Sequence, residues 1–285
     1  MALEAASPED DAQAPLPGGR LYWLRAGALE VALAPDAGGR IAQIRYEGVD
    51  WLVGEQEGGA AAIGWGCYPM VPWAGRIRQG RFSFDGKPYA LPRNFGGHAI
   101  HGVGFSRPWQ VDSLGADSAM LSLELSEDKY WPFGGRATQV IRVLAGSLEL
   151  RLAVQAGGRA MPAVIGWHPW FRTPDQVLFS PSAMYPRDGE GIAVLPCIAP
   201  TPGPWDDCFI SQTEVTLVSG DQQLRLRADT DHWVVYDGAV HATCVEPQTG
   251  PPDGFTLMPK RLESGQRLEL RFELLWANAT TPRVE

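Results

Sequence analysis

Five short segments hold the side chains best suited to chemistry. Arg76 lies in YPMVPWAGRIRQGRF, behind Trp73; His98 and His101 sit among glycines in NFGGHAIHGVGF; His168 lies between Trp167 and Trp170 in GWHPWF. Asp206 and Asp207 are adjacent in GPWDDCF, and Glu246 stands in CVEPQTGPPDGF. An imidazole and a carboxylate are the usual pair for moving protons at neutral pH. The chain has no serine or cysteine nucleophile motif, no phosphate loop and no dinucleotide fingerprint, so the set suits general acid–base work on a polyhydroxylated ligand.

Each residue also has a plainer reading. His98 and His101, three apart, could ligate a metal, but no HExxH or paired CxxC accompanies them, and capping of backbone groups in a glycine-rich loop is the simpler role. A single histidine such as His168 is most often structural. Pro169 and the flanking tryptophans set it apart: aromatic neighbours favour its neutral form, a nearby carboxylate the charged form, and the balance would hold it near neutral pH. Glu246 leads out of an apolar strand, placing its carboxylate near a strand end. Aspartates in a Pro/Trp-rich loop cap turns by default, and Arg76 could be an ordinary paired arginine.

The elements that must position these groups read as strands. GRFSFDGKPYAL places two apolar pairs around Asp85-Gly86, a hairpin signature. MLSLEL alternates, QVIRVLAGSLELRLAV reads as two strands joined at Ala145-Gly146, EVTLVSGDQQLRLRA repeats the device, and RLELRFELLW is a further strand. With 33 Gly and 24 Pro scattered along 285 residues, many short strands and turns are expected. No repeat or Gly/Ser linker divides the chain, so a single antiparallel sandwich over residues 20–280 is predicted, with the chemistry between strands or at their ends. Residues 1–19, acidic and Pro-rich with no apolar stretch, read as a flexible leader, neither a signal peptide nor a membrane span.

A formal charge of −9 and no basic stretch disfavour nucleic acid and anionic membranes as partners. Cys67, Cys197, Cys208 and Cys244 form no CxxC pair and read as buried free thiols, which fits a cytoplasmic location. The 11 Trp exceed what a core needs, and Trp73 and Trp170 are candidates to stack on a ligand face.

The order and content of these segments resemble the aldose 1-epimerase (galactose mutarotase-like) family. The likeness runs from VALAPDAGGRIAQIRYEGVDWL at 31–52 through AGRIRQGRFSFDGKPYALPRN, HAIHG, GWHPWF, DDCF and VEPQTGPPDGF. It implies a large antiparallel β-sandwich, the supersandwich of that family, acting on a free aldose without metal or cofactor, as a monomer or homodimer. It implies Glu246 as the base on the anomeric hydroxyl and His168 as the acid on the ring oxygen. His101, Arg76 and Asp206 would hold the sugar, with Asp207 the alternative register for the aspartate. The chain departs from the family pattern at Trp167, Trp170 and Val103, which leaves the identity of the sugar open. A hexose-6-phosphate epimerase using Arg78, Arg93 and Arg172, a non-catalytic sugar binder, and a glycoside hydrolase using Glu246 with Asp206 are the competing readings.

Overall fold

In Ser147–Gln155 the side chains of Leu148, Leu150, Leu152 and Val154 alternate with polar neighbours, and all four are buried. Burying each is worth roughly 1.5–3 kcal/mol, enough to fix which face of the strand turns inward. The neighbouring strand Arg136–Leu144 answers with Ala137, Gln139, Ile141 and Val143 on the same face, joined through the turn at Ala145-Gly146. The computed structural model describes residues 11–278 and is built almost wholly of such pairings.

Two large antiparallel sheets carry the described residues, one of ten strands and one of eight. The eight-stranded sheet runs Gln110–Leu114, Ser118–Glu124, Arg136–Leu144, Ser147–Gln155, Arg267–Asn278, Gln222–Ala228, Val215–Ser219, Gln176–Leu178. The ten-stranded sheet runs Tyr22–Ala26, Leu29–Ala34, Arg40–Tyr46, Cys67–Met70, Gly166–Arg172, Ala242–Gln248, His232–Ala239, Asp206–Ile210, Ala183–Tyr185, with Val49–Asp50 paired beside Arg40–Tyr46. The core lies between the sheets. There Phe272 of one meets Trp167 and Trp233 of the other, with ring centroids 5.9 and 6.3 Å apart. The Trp167 indole donates to Gln139 across the gap at 2.8 Å, and Gln139 donates on to the Gly39 carbonyl at 2.7 Å, so the polar groups of this contact are satisfied.

The expected hairpins are present. Arg81–Phe84 and Lys87–Ala90 pair through Asp85 and Gly86, both at positive φ (51° and 71°) as a two-residue primed turn requires. No helix among the described residues is long and apolar enough to cross a membrane.

The reading of residues 1–19 as a flexible leader needs correction where it can be examined. Residues 1–10 lie outside the described residues. From Asp11 onward the segment is fastened to the body: Ala12 donates to the Asn94 carbonyl at 2.9 Å, and the amides of Ala62 and Ile63 bond the carbonyls of Ala14 and Ala12 at 2.8 and 3.0 Å. Its few small apolar residues gave no periodic signal, yet Ala12 is buried.

Candidate active site

Strand alternation decides what faces the ligand. Along Gly166–Arg172, Trp167 and Phe171 point into the inter-sheet core, so His168 and Trp170 point to the opposite face. On the adjacent strand Ala242–Gln248, Val245 joins the core while Glu246 and Gln248 turn to the side of His168. Asp206 and Cys208 take the same side from Asp206–Ile210, as do Val234 and Tyr236 from His232–Ala239. His168 and Glu246 therefore sit mid-strand on the outer face of a sheet, whereas Asp206 opens its strand, a strand-end position as expected. These strands run through polar residues because each is paired on both sides. Arg76 and His101 reach the same pocket from a small ribbon, Arg76–Ile77 paired with Ala99–Ile100, with His101 at φ 59° just beyond it.

The pocket has a volume of about 400 Å3, near the lower end of small-molecule sites. At its floor Nε2 of His168 lies 3.2 Å from Oε1 of Glu246. Gln248 donates to the other carboxylate oxygen, Oε2, at 3.0 Å. The His168 imidazole stacks on Tyr68, its cross-strand partner, at 4.8 Å and on Trp170 at 5.4 Å, and meets His101 edge-on at 4.9 Å.

Burial governs the proton affinities here. It holds the His168 imidazole neutral down to about 3, not near neutral pH as the sequence suggested, because desolvation outweighs every favourable contact. Burial likewise pushes the Glu246 carboxyl well above its usual range, with Asp206 adding to the effect. His101 is kept neutral by burial and by the neighbouring His168 and Arg76. Both directions leave the proton of the pair on the Glu246 carboxyl, with His168 Nε2 neutral and within 3.2 Å of it.

Asp206 is the aspartate that lines the pocket, while Asp207, one residue on, turns to the other face of its strand. Arg76 approaches Asp206 at 3.7 Å and Arg187 at 3.0 Å, and Arg187 also bonds Asp207 at 2.8 Å. Trp73 is not at this site: it is buried, packs on Trp131 at 5.9 Å, and borders a separate cavity. Its expected stacking role is therefore withdrawn. Trp170 does line the pocket. His98 takes the plainer role, its Nδ1 accepting from the Gln79 amide at 3.0 Å. Trp167 faces the core, so of the two tryptophans flanking His168 only Trp170 lines the pocket.

Sequence reasoning missed Gln248 and Arg187. Gln248 was findable, since residues two apart in a strand share a face. Its Oε1 is buried without a hydrogen-bond partner among the described residues. Arg187 carried no signal. Ligand atoms of His168, Cys244 and Glu246 lie within 4.8 Å of one another, the one grouping of this kind among the described residues. Burial pushes the Cys244 thiol well above its ordinary value, so the trio offers a protonated sulfur rather than a thiolate.

Comparison with known proteins agrees with this architecture. Residues 20–188 match a model of the family described as aldose 1-epimerase, and the chain belongs to that family. The match contains Arg76, His101, His168 and Trp170, whereas Asp206 and Glu246 lie beyond it and are placed by the sheet alone. The chain is 31% identical over 154 residues to the Escherichia coli (strain K12) protein YphB, a stretch covering 53% of this chain and about half (51%) of that relative. The GalM/aldose epimerase homologue from C. elegans superimposes with a TM-score of 0.80 at 16% identity, covering 92% of this chain and 100% of that one. Galactose 1-epimerase from Lactobacillus acidophilus NCFM gives a TM-score of 0.77 at 15% identity, over 91% and 95%.

Proposed function

We propose that the protein interconverts the α and β anomers of a free, uncharged aldose. The observation that carries this reading is the 3.2 Å contact between His168 and Glu246 on the floor of a sugar-sized pocket. Once the Glu246 proton has passed across the 3.2 Å contact to His168 Nε2, the Glu246 carboxylate takes the proton of the anomeric hydroxyl as the C1–O1 double bond forms. The bond from C1 to the ring oxygen breaks, and His168 Nε2 protonates that oxygen. Rotation about C1–C2 turns the other carbonyl face to the hydroxyl, and closure runs the transfers in reverse. Each turnover returns the pair to its single proton, so no external acid or base is consumed. His101 and Arg76 hold the ring oxygen and the opening carbonyl, Asp206 accepts from other hydroxyls, and Trp170 presents an aromatic wall.

A neutral sugar is favoured over a phosphorylated one by the state of the arginines. Arg78 is taken up by Asp188 and Glu190, Arg172 by Glu57, and Arg93 is exposed away from the pocket. The two that do line it, Arg76 and Arg187, already face Asp206. A phosphate would meet cations whose charge is spent.

Polarimetry on freshly dissolved α-glucose and α-galactose, with glucose 6-phosphate alongside, tests the reading. Faster equilibration of the neutral sugars is expected. No acceleration despite measurable sugar binding would replace the enzyme with a sugar-binding protein, and preference for the phosphate ester would reverse the charge argument.

A further inference from the structure

The segment before the first strand forms part of the sugar pocket. Residues 11–16 run beside Ala60–Ile63, bridged at Pro15 and Ala61, with the Leu16 amide on the Ala60 carbonyl at 2.7 Å. Ala12 is also tied to Asn94, so the segment spans two parts of the body. Its successive residues divide two cavities. Asp11, Ala12, Ala14, Pro15 and Leu16 border a cavity of about 380 Å3. Gln13 alone turns the other way and borders the catalytic pocket, alongside Ile63, Arg76 and Phe95.

Gln13 is held in position yet left with work undone. Its backbone amide donates to the Asp11 carboxylate at 2.8 Å, a local turn that fixes the backbone. Its side-chain amide makes no hydrogen bond among the described residues, and the residue is exposed. A carboxamide can donate and accept at once, which matches a hydroxyl group. His168 and Glu246 already account for both protons moved in ring opening. We infer that Gln13 is a substrate-binding residue whose amide bonds a hydroxyl taking no part in the reaction, so that it helps select among aldoses. This rests on the epimerase reading above.

The test uses the full chain, wild type and Gln13→Ala, with rates measured by polarimetry on glucose, galactose and their deoxy analogues. Loss of one hydrogen bond predicts a KM raised about three- to tenfold for the preferred sugar, with kcat within twofold. The penalty should vanish for the one deoxy sugar that lacks the partner hydroxyl. Unchanged KM for every sugar would overturn the assignment. So would a fall in kcat and melting temperature together, which marks a purely structural strap. If the wild type binds sugars without equilibrating them, the epimerase reading fails. The Kd ratio of wild type to Gln13→Ala then decides the Gln13 assignment separately.

Discussion

The imidazole of His168 lies against the ring of Tyr68, its partner on the neighbouring strand, at 4.8 Å and 28°. Trp170 stacks on the same imidazole at 12°, so aromatic surface rather than water surrounds the group proposed as the acid. A histidine at its ordinary value of 6.5 would imprint an inflection there on kcat/KM. With burial holding His168 neutral down to about 3, the wild-type profile should pass through pH 6.5 without one. Trp170→Ala admits water, and an inflection shifted towards 6.5 is expected in that variant. An NMR titration in which the His168 imidazole itself has its midpoint at 6.5 in the wild type would sink the desolvation argument.

Removing either member of the pair should cost turnover and leave binding. Glu246→Gln and His168→Asn are expected to lose on the order of a hundred- to ten-thousand-fold in kcat with little change in sugar affinity. Stopped polarimetry beside calorimetric titration separates the two quantities. Normal turnover in His168→Asn would move the acid role to His101.

The same burial carries a stability cost with opposite signs at the two residues. The unfolded imidazole binds a proton below 6.5, while the folded one does so only near 3, so His168 destabilises the fold as pH falls through that window. Glu246 keeps its proton when folded at pH values where the unfolded carboxyl, at 4.5, has ionised, so stability is lost as pH rises above 4.5 towards the folded value. Glu246→Gln removes the second loss and keeps an acceptor for Gln248. Its melting temperature should exceed that of the wild type at pH 8, and the gap should narrow at pH 5.

Arg40 is wholly buried, with guanidinium bonds to the carbonyls of Ala37, Trp65, Ala62 and Phe105 at 2.6–3.0 Å and a face on Trp65 at 4.2 Å. No carboxylate among the described residues forms an ion pair with it, and burial lowers its pKa to about 10. Arg40→Met leaves four carbonyls unanswered behind Tyr68 and should cost about 3 kcal/mol or more. Urea denaturation gives the number directly. A loss below about 1 kcal/mol would mean that water replaces the guanidinium.

Asp206 faces both arginines of the pocket, Arg76 at 3.7 Å and Arg187 at 3.0 Å, and Asp207 holds Arg187 as well. Asp206→Ala should weaken sugar binding and, at low salt, make turnover sensitive to millimolar inorganic phosphate, to which the wild type should be indifferent. Inhibition constants for both proteins provide the comparison, and equal constants would mean that the arginines were never masked.

Much of this was legible from residues alone because it depended on neighbours in the chain. Asp85-Gly86 demanded its hairpin, and the spaced leucines of Ser147–Gln155 demanded a half-buried strand. The segments bearing His168 and Glu246 stood out by their residue types. What depended on which strand lies beside which was not legible. Asp206 and Asp207 are separable only once the register of their strand is known. Trp73 and Trp170 look alike in sequence, but the connection after Cys67–Met70 carries Trp73 into the core while strand alternation turns Trp170 into the pocket. Arg40 bonds only main-chain carbonyls, so no side-chain type announces its partners, and Gln13 sits in a stretch with no periodicity at all.

The strand bearing Glu246 is inserted between Gly166–Arg172 and His232–Ala239, and Gly166–Arg172 is in turn paired with Cys67–Met70. His168, Glu246 and Tyr68 thus meet only after three distant stretches of chain have closed their loops, a slow kind of step in folding. The hairpins of the eight-stranded sheet close far shorter loops and can form first. On dilution from denaturant, strand signal should return early and turnover late, making catalysis the last property this chain acquires.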